Sequence, residues 1–374
     1  MSRTTIKLSA RDYNRAISPD KLNAQAQLTN KNIIINGGMT VAQRGTSATG
    51  ITGSDYRTVD RFRPSMGTAG TWTITQSTDV PSGEGFSNSL KFDCTTANGS
   101  LSAGSDMALQ YRIEGQNLQM LKKGTANAQS LTLSFWVKST KTGTFICELQ
   151  DNDNSRNISK AYTVSTTNTW EKKELTFAGD TTGTFGNDNA KSMTIMWWQV
   201  AGTTYTSGTL ATSWVSPTNA NRAAGQVNIA DSTANDWLIT GVQMEIGDKA
   251  TDFEHEPYER ILAKCQRYYH MRKAGSVWSY FGAGQTDNTT AGRFYFDFPV
   301  EMNHVPALEQ SANSTFAVYA TSSNAFSADA TINNPSTWGS AISTTVASGQ
   351  TAGRGGSVIA NNSASAYLAF ESEI

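Results

Sequence analysis

The chain has 374 residues, a formal net charge of −1 and a charged fraction of 16%, well below the roughly one quarter that is usual. So small a net charge produces no long-range field that would attract nucleic acid, and no basic run resembles a DNA-binding stripe, which argues against nucleic-acid binding. No run approaches the roughly twenty apolar residues of a membrane-spanning helix, and residues 1–16 lack the apolar core of a signal peptide. Membrane insertion and secretion are therefore not predicted.

The number and spacing of the cysteines argue against disulfide-rich and zinc-binding proteins. Cys94, Cys147 and Cys265 are odd in number and widely spaced, which argues against a disulfide framework and supplies too few ligands for a zinc site. Cys94 and Cys147 fall on the apolar phase of predicted strands, where a thiol acts as a small core hydrophobe. We expect a chain that folds in a reducing cytoplasm.

The first segment, residues 1–31, is polar and has no clear periodicity. It cannot bury enough apolar surface to fold alone. Two interpretations stay open: a floppy terminus, or a segment that becomes ordered on a partner.

Residues 32–256 contain short alternating runs joined by loops rich in Gly, Asn, Thr and Ser, with no long helical pattern between them. Clear examples are Trp72–Gln76 and Leu131–Lys138. This pattern predicts an antiparallel β-sandwich, for which a jelly roll is the preferred form. The run Met193–Val200 has apolar residues in both phases, so this strand is either covered on both sides or exposes aromatic rings.

In the segment that begins at Trp237, the spacing of apolar residues changes from that of a strand to that of a helix. Simple alternation would place Leu238 and Val242 on one face and Trp237 on the other. After Pro257 the apolar residues recur at three- and four-residue steps, which predicts a connecting helix over 257–273. Residues 274–374 return to alternation and predict a second, smaller β domain, in which Phe294, Phe296 and Phe298 oppose Tyr295 and Asp297.

Several motifs together resemble the tail-fibre and related structural proteins of tailed bacteriophages. They are spread over residues 32 to 374 and read NIIINGGMTVAQRGTS, LTLSFWVKSTKTGTF, NTWEKKELTFAGDTTGTF, ITGVQMEIG, FEHEPY, CQRYY and ANNSASAYLAFESEI. The resemblance implies a virion protein, usually trimeric, with a sandwich similar to carbohydrate-binding modules. It also favours residues 1–31 as an attachment segment that binds other tail or collar proteins, with Arg3, Ile6, Leu8 and Tyr13 as its candidate contacts.

Catalytic groups are scarce in the sequence. His255 lies between two glutamates, but adjacent residues of an extended segment point to opposite sides, so a solvated hinge is the expected role. His270 and His304 are isolated, and a helix-end or loop role is expected. A carboxylate pair for glycoside hydrolysis would have to come from Glu148, Asp151 and Asp153, and nothing in the pattern places two of them in one cleft. We therefore expect no enzymatic activity.

The loop after residue 150 is the one candidate metal site. Closely spaced oxygen donors suit Ca²⁺, and Asp151 and Asp153 are the candidate carboxylate ligands. The loop lacks the glycine and distal glutamate of an EF-hand, so an Asx-rich turn is the expected alternative. Apart from this structural calcium, no cofactor is predicted.

Sugar binding is the function that the aromatic residues favour, since exposed rings stack on apolar sugar faces while amides bind hydroxyls. The alternative is that these rings belong to the core or to a contact between subunits. The candidate rings and amides are Trp136, Trp197, Trp198, Tyr205, Trp214, Asn152, Gln199 and Asn219.

The resemblance implies a bacteriophage tail-fibre-like virion protein that forms a homotrimer, and together with the aromatic residues it favours binding to host cell-surface glycans. Several weak sugar contacts per particle would act together through avidity. Two rivals stay open. One is a head or collar decoration protein without sugar binding, and the other is a polysaccharide depolymerase.

Overall fold

The computed structural model describes residues 31–374. The predicted attachment contacts Arg3, Ile6, Leu8 and Tyr13 lie outside the described residues. Within residues 31–374, no helix is long and apolar enough to cross a membrane.

The first part of the described chain is an antiparallel sandwich of two sheets. The six-stranded sheet has the order β1-β3-β4-β11-β6-β9, and the five-stranded sheet has the order β2-β5-β10-β7-β8. The strands are β1 (Ser47–Ile51), β2 (Phe62–Gly67), β3 (Thr71–Ser77), β4 (Ser89–Thr96), β5 (Asp106–Glu114), β6 (Leu131–Ser139), β7 (Gly143–Asp151), β8 (Arg156–Val164), β9 (Glu171–Phe177), β10 (Lys191–Ala201) and β11 (Asp236–Ile246).

The core of this sandwich lies between the two sheets and is built from alternating inward side chains. Aromatic rings meet edge to face at its centre: Phe135 of β6 lies 5.2 Å from the Tyr162 ring and 6.0 Å from the Trp197 ring. Cys94 and Cys147 are buried there as free thiols, as expected. The predicted all-β sandwich class is confirmed.

Strand β11 departs from simple alternation. The pairing with β6 shifts register between Thr240 and Gln243, and Gly241 has a φ of 62°, a bulge geometry that favours glycine. As a result Trp237 and Val242 both face the core, although their spacing predicted opposite faces. The inserted residue reverses the phase of the strand halfway along.

Strand β10 is covered on both sides. One face lies in the main core, while Met196 and Trp198 on the other face pack in a second apolar cluster with Ala223. The segment that supplies this cover includes the short helix α1 (Thr203–Thr206) and a 3-10 helix (Asn219–Asn221). Further 3-10 helices are Gly115–Leu121, Ile229–Asp231 and Asn313–Thr315.

The connecting helix is shorter than predicted. Helix α2 (Tyr258–Gln266) begins directly after Pro257, but residues 269–273 form strand β12 (Tyr269–Lys273). The prediction of helix through residue 273 is wrong because β12 pairs with the last strand of the chain, and that pairing overrides the local helical period. His270 accordingly lies on a strand and not at a helix end. Residues 33–35, in the motif NIIINGG, form an irregular segment and not a strand, although they are all isoleucine.

The last hundred residues form a second, smaller β unit. A seven-stranded sheet has the order β17-β16-β20-β13-β14-β19-β18, and a three-stranded sheet has the order β12-β21-β15. Phe296 and Phe370 join the two sheets, with ring centroids 5.7 Å apart in a shared core. The strands are β13 (Tyr280–Thr286), β14 (Ala291–Asp297), β15 (Ala307–Gln310), β16 (Phe316–Tyr319), β17 (Ser323–Ala325), β18 (Thr331–Asn333), β19 (Gly339–Thr345), β20 (Gly355–Ala360) and β21 (Tyr367–Glu371).

Buried charges join the two β units. Arg44 and Arg61 of the first unit both form ion pairs with Glu373, which follows the last strand. Glu114 at the end of β5 accepts hydrogen bonds of 2.9 and 3.1 Å from the Arg267 guanidinium. The side chains of Arg61, Glu114 and Glu373 are at most 4% exposed. The units therefore meet through desolvated ion pairs, whose partners leave little freedom to slide.

Candidate functional site

Two of the predicted sugar-binding residues lie inside the protein. Trp197 and Gln199 are both 0% exposed. Trp197 faces the main core, where its ring meets Phe135, so it has no face to offer a ligand. The prediction of a sugar contact at Trp197 and Gln199 is wrong because both side chains are fully buried.

Trp198 is also buried, at 1% exposure, but in a polar setting. Its Nε1 donates to Glu148 at 3.0 Å, and Arg222 donates to the same carboxylate at 2.9 and 3.1 Å. The half-buried ring of Tyr205 packs 5.2 Å from the Trp198 ring. This cluster closes the outer face of β10, so Trp198 is a structural residue and not the exposed ring that we predicted.

The loop after β7 is closed by a lysine. Lys123 Nζ lies 2.6 Å from the Asp151 carboxylate and 3.2 Å from that of Asp180. Burial raises the pKa of Asp180, but hydrogen bonds from Arg156, a backbone amide and Lys123 outweigh it and hold that pKa below its ordinary value. An ammonium group thus occupies the place where a cation was expected, which argues against the calcium site.

The other residues near this loop also have partners. Asp153 accepts a hydrogen bond from the Gly186 amide at 2.8 Å, and Asn152 accepts one from the Thr194 hydroxyl at 2.8 Å. Trp214 is half-buried against the core and donates to a backbone carbonyl at 2.7 Å. Within residues 31–374, no group of three or more His, Cys, Asp or Glu side chains could hold a metal ion. The geometry is that of an Asx-rich turn.

The remaining candidate ring, Trp136, lines a cleft. It projects from the outer face of the six-stranded sheet, opposite Thr240 of β11 and Lys172 of β9. The cleft has a volume of about 240 Å³. Its other lining residues include Ser134, Glu84, Thr251 and Asp252, which add hydroxyl and carboxylate groups to the aromatic wall, together with Phe86, Phe253 and His255.

Three rings form the other wall of this cleft. Phe86 and Phe253 meet edge to face at 5.0 Å, and the His255 ring lies 4.9 Å from Phe253 and 5.4 Å from Phe86. The same three residues line a second cleft of about 190 Å³ on their far side. His255 is exposed to solvent, as expected, and its ring also forms part of this aromatic wall. No periodic pattern of apolar residues predicts this wall, because its residues come from two irregular segments.

Two glycines allow these segments to approach the sheet. A Cβ atom on Gly241 would lie 2.6 Å from the Phe86 ring and 3.1 Å from the Trp136 ring. A Cβ atom on Gly37 would lie 2.0 Å from the carbonyl oxygen of Val242. The bulge in β11 therefore positions the cleft, because it places a residue without a side chain where the rings converge. Gly37 belongs to the segment NIIINGG of the sequence motif.

A second aromatic surface, whose residues are not among the predicted sugar contacts, lies on the second β unit. Tyr280, Tyr295 and Tyr319 are 68%, 58% and 44% exposed. They project from the seven-stranded sheet on the side away from its core. The alternation of Phe294 and Phe296 against Tyr295 was visible in the sequence, and it is confirmed: the phenylalanines are buried and the tyrosine is exposed.

Comparisons with known proteins do not assign the chain to a protein family. No protein-family model and no curated protein sequence matches the chain. The solved structures that resemble it include the enzymatically active domain of tailspike protein 4 of bacteriophage CBA120, with a TM-score of 0.30 and 15% identity. That match covers 58% of this chain and 21% of the tailspike chain.

Carbohydrate-binding modules are also among the similar structures. TmCBM61 in complex with β-1,4-galactotriose has a TM-score of 0.30 and 11% identity, with 58% of this chain and 99% of that chain covered. The family 11 module from Clostridium thermocellum in complex with a mixed-linked tetrasaccharide has a TM-score of 0.26 and 13% identity, with 54% and 99% covered. TM-scores this low assign neither a family nor a ligand to the chain.

Proposed function

We propose that this chain is a non-enzymatic, tail-fibre-like protein of a bacteriophage particle and that it binds glycans on the host cell surface. The observation that carries the proposal is the cleft at Trp136, an aromatic ring beside hydroxyl and carboxylate groups on the open face of a sheet. The sequence motifs that resemble tail-fibre proteins supply the virion context. Attachment through residues 1–31 and a homotrimeric state are parts of the same proposal.

The chemistry of the cleft suits a sugar. A pyranose ring has one apolar face and a rim of hydroxyl groups, and Trp136 and the wall of Phe86 and Phe253 offer the apolar side. Ser134 and Asp252 offer hydrogen-bonding groups beside them. The volume of about 240 Å³ is below the roughly 300–1,000 Å³ of sites for drug-sized ligands. One or two sugar rings are therefore the expected occupant.

The proposal that the chain is not a hydrolase draws on the placement of Glu148 and Asp151, two of the carboxylates from which the sequence could have built a hydrolytic pair. Glu148 is buried and neutralised by Arg222, and Asp151 is buried and neutralised by Lys123. A pair of carboxyl groups for glycoside hydrolysis must instead flank one bond, about 5 to 10 Å apart. A test for shortened chains after incubation with bacterial polysaccharide would reveal a depolymerase and overturn this part.

Glycan binding is tested on the full chain with a glycan array, followed by affinity measurement on the bound glycans. Trp136→Ala should weaken binding at least about tenfold, since a lost stacking contact of about 1.5 kcal/mol corresponds to that factor. Tyr258→Ala is the matched control, because this ring is 56% exposed but lies on helix α2 and is absent from both clefts. Equal binding by wild type and Trp136→Ala would remove the cleft from the proposal.

The virion role is tested separately. A phage genome that encodes the chain without residues 1–31 should yield particles that lack the protein, and light scattering of the purified full chain should give three times the chain mass. Particles that retain the truncated chain, or a density on the capsid lattice in a map of the particle, would instead favour a decoration protein.

A further inference from the structure

Two of the three exposed tyrosines of the second β unit, Tyr319 and Tyr295, fall in one line across the seven-stranded sheet. Tyr319 of β16 pairs with Ser357 of β20, Ser357 pairs with Ala283 of β13, and Ala283 pairs with Tyr295 of β14. Residues directly opposite each other in antiparallel strands project to the same face. Tyr319 and Tyr295 therefore stand on one face, separated by two small residues.

The spacing of these strands fixes the distance between the two tyrosines. Three strand spacings of about 4.8 Å place Tyr319 about 14 Å from Tyr295 along the row. Ala283 is exposed and Ser357 is half-exposed, and neither side chain is long enough to fill the space between the rings. The result is a shallow trough with a ring at each end and a floor of small side chains.

A cleft of about 210 Å³ lies beside Tyr295 at one end of this trough. Arg293, Asp297 and Asn334 line it and supply polar groups next to the phenol ring. The Arg293 guanidinium donates two hydrogen bonds, of 2.9 and 3.1 Å, to Asp287, so its charge is already neutralised. Asp297 is exposed, and its carboxylate is the unneutralised charge among these three residues. This negative charge would repel an acidic sugar.

We propose that this face is a second glycan site, in which a neutral oligosaccharide lies across the strands, with one ring in the cleft at Tyr295 and another ring against Tyr319. Two tyrosine rings with small residues between them suit stacking with sugar faces, since phenol rings are apolar on their faces and polar at the tip. The proposal extends glycan binding, and so rests on the proposed function, but it uses residues that are separate from the Trp136 cleft.

The test compares full-length variants on an array of neutral and acidic glycans. Tyr295→Ala and Tyr319→Ala should each weaken binding of a subset of neutral oligosaccharides about tenfold, while Tyr295→Phe, which keeps the ring, should stay within about threefold of wild type. Trp136→Ala should leave this subset bound, and Tyr258→Ala serves as the control for a lost exposed ring. Both tyrosines are largely exposed, so the variants should fold, and circular dichroism checks that they do.

The outcomes separate the two proposals. Neutral glycans lost only with Trp136→Ala would overturn the second site and leave the first standing. Loss of the neutral subset with the tyrosine variants, together with a Trp136→Ala variant that binds every glycan as wild type does, would support the second site and overturn the first. A wild-type chain that binds no glycan would overturn both. If Tyr295→Ala instead lowers the oligomeric mass without changing glycan binding, the face is a contact between copies of the chain and the second site is refuted.

Discussion

His270 should make the stability of the protein depend on pH. The side chain lies on β12, is 7% exposed, and has no hydrogen-bond partner at either ring nitrogen among the described residues. Its ring stacks on Phe370, with an interplanar angle of 13°, and also meets Phe298. Burial, with a smaller contribution from the charge of Arg272, lowers the pKa of His270 to about 4. The folded protein therefore keeps this imidazole neutral where the unfolded chain would protonate it.

The size of the effect follows from the two pKa values. The unfolded value is about 6.5, so the shift of about 2.5 pH units corresponds to about 3 kcal/mol. The unfolded state binds more protons in this interval, so the contribution is fully present above pH 6.5 and is lost as the pH falls toward 4. At pH 4.5 the neutral His270 should contribute about 2.5 kcal/mol less to the free energy of unfolding than it does above pH 6.5.

The measurement is urea unfolding of wild type and His270→Phe between pH 8 and pH 4.5. At pH 8 the difference in unfolding free energy reports only the change in packing. At pH 4.5 this difference should have changed by about 2.5 kcal/mol, because the wild type is destabilised by protonation of His270 and the variant is not. Burial raises the pKa of Asp60 to about 6 and that of Glu371 to about 7, and these groups act in the opposite direction. They are common to both proteins and cancel in the comparison, so an equal difference at both pH values would refute the reasoning.

Two further substitutions test features of the first sandwich. Lys123→Met should lower the unfolding free energy by about 3–5 kcal/mol, because it leaves the carboxylates of Asp151 and Asp180 buried together without their ammonium partner; chemical denaturation measures this, and a loss below about 1 kcal/mol would contradict it. Gly241→Ala should cost about 1–2 kcal/mol, since the φ of 62° and the Phe86 ring both oppose a Cβ atom; an unchanged melting temperature would count against the bulge as the reason for glycine.

Much of the fold could be predicted from local pattern. The alternation of apolar and polar residues predicted strands in both β units and the burial of Phe294 and Phe296, because a strand with one face in the core places every second side chain there. The start of helix α2 directly after Pro257 also followed from local rules. The end of that helix did not, since Tyr269 pairs with a strand about a hundred residues later, and no local signal reports such a pairing.

The candidate site was only partly predictable, for a similar reason. Trp136 could be predicted because it shares the outer face of its strand with polar residues such as Ser134 and Lys138. Trp198 looked equivalent, but the segment after β10 folds back over it, and covering segments cannot be recognised from the periodicity of the strand that they cover. Phe86 and Phe253 lie in irregular segments, so only their meeting above Gly241 in three dimensions identifies them. A bulge of one residue reassigned the faces of β11, and spacing alone does not reveal it.

The buried ion pairs between the two β units have a mechanical consequence. An apolar contact can yield gradually, as one side chain after another moves to a new neighbour, whereas Arg61 and Glu373 are buried partners whose charges depend on each other. Pulling the units apart would strip these charges of each other at the same moment that water enters. We therefore expect the chain to resist tension up to a threshold and then to separate in a single abrupt event.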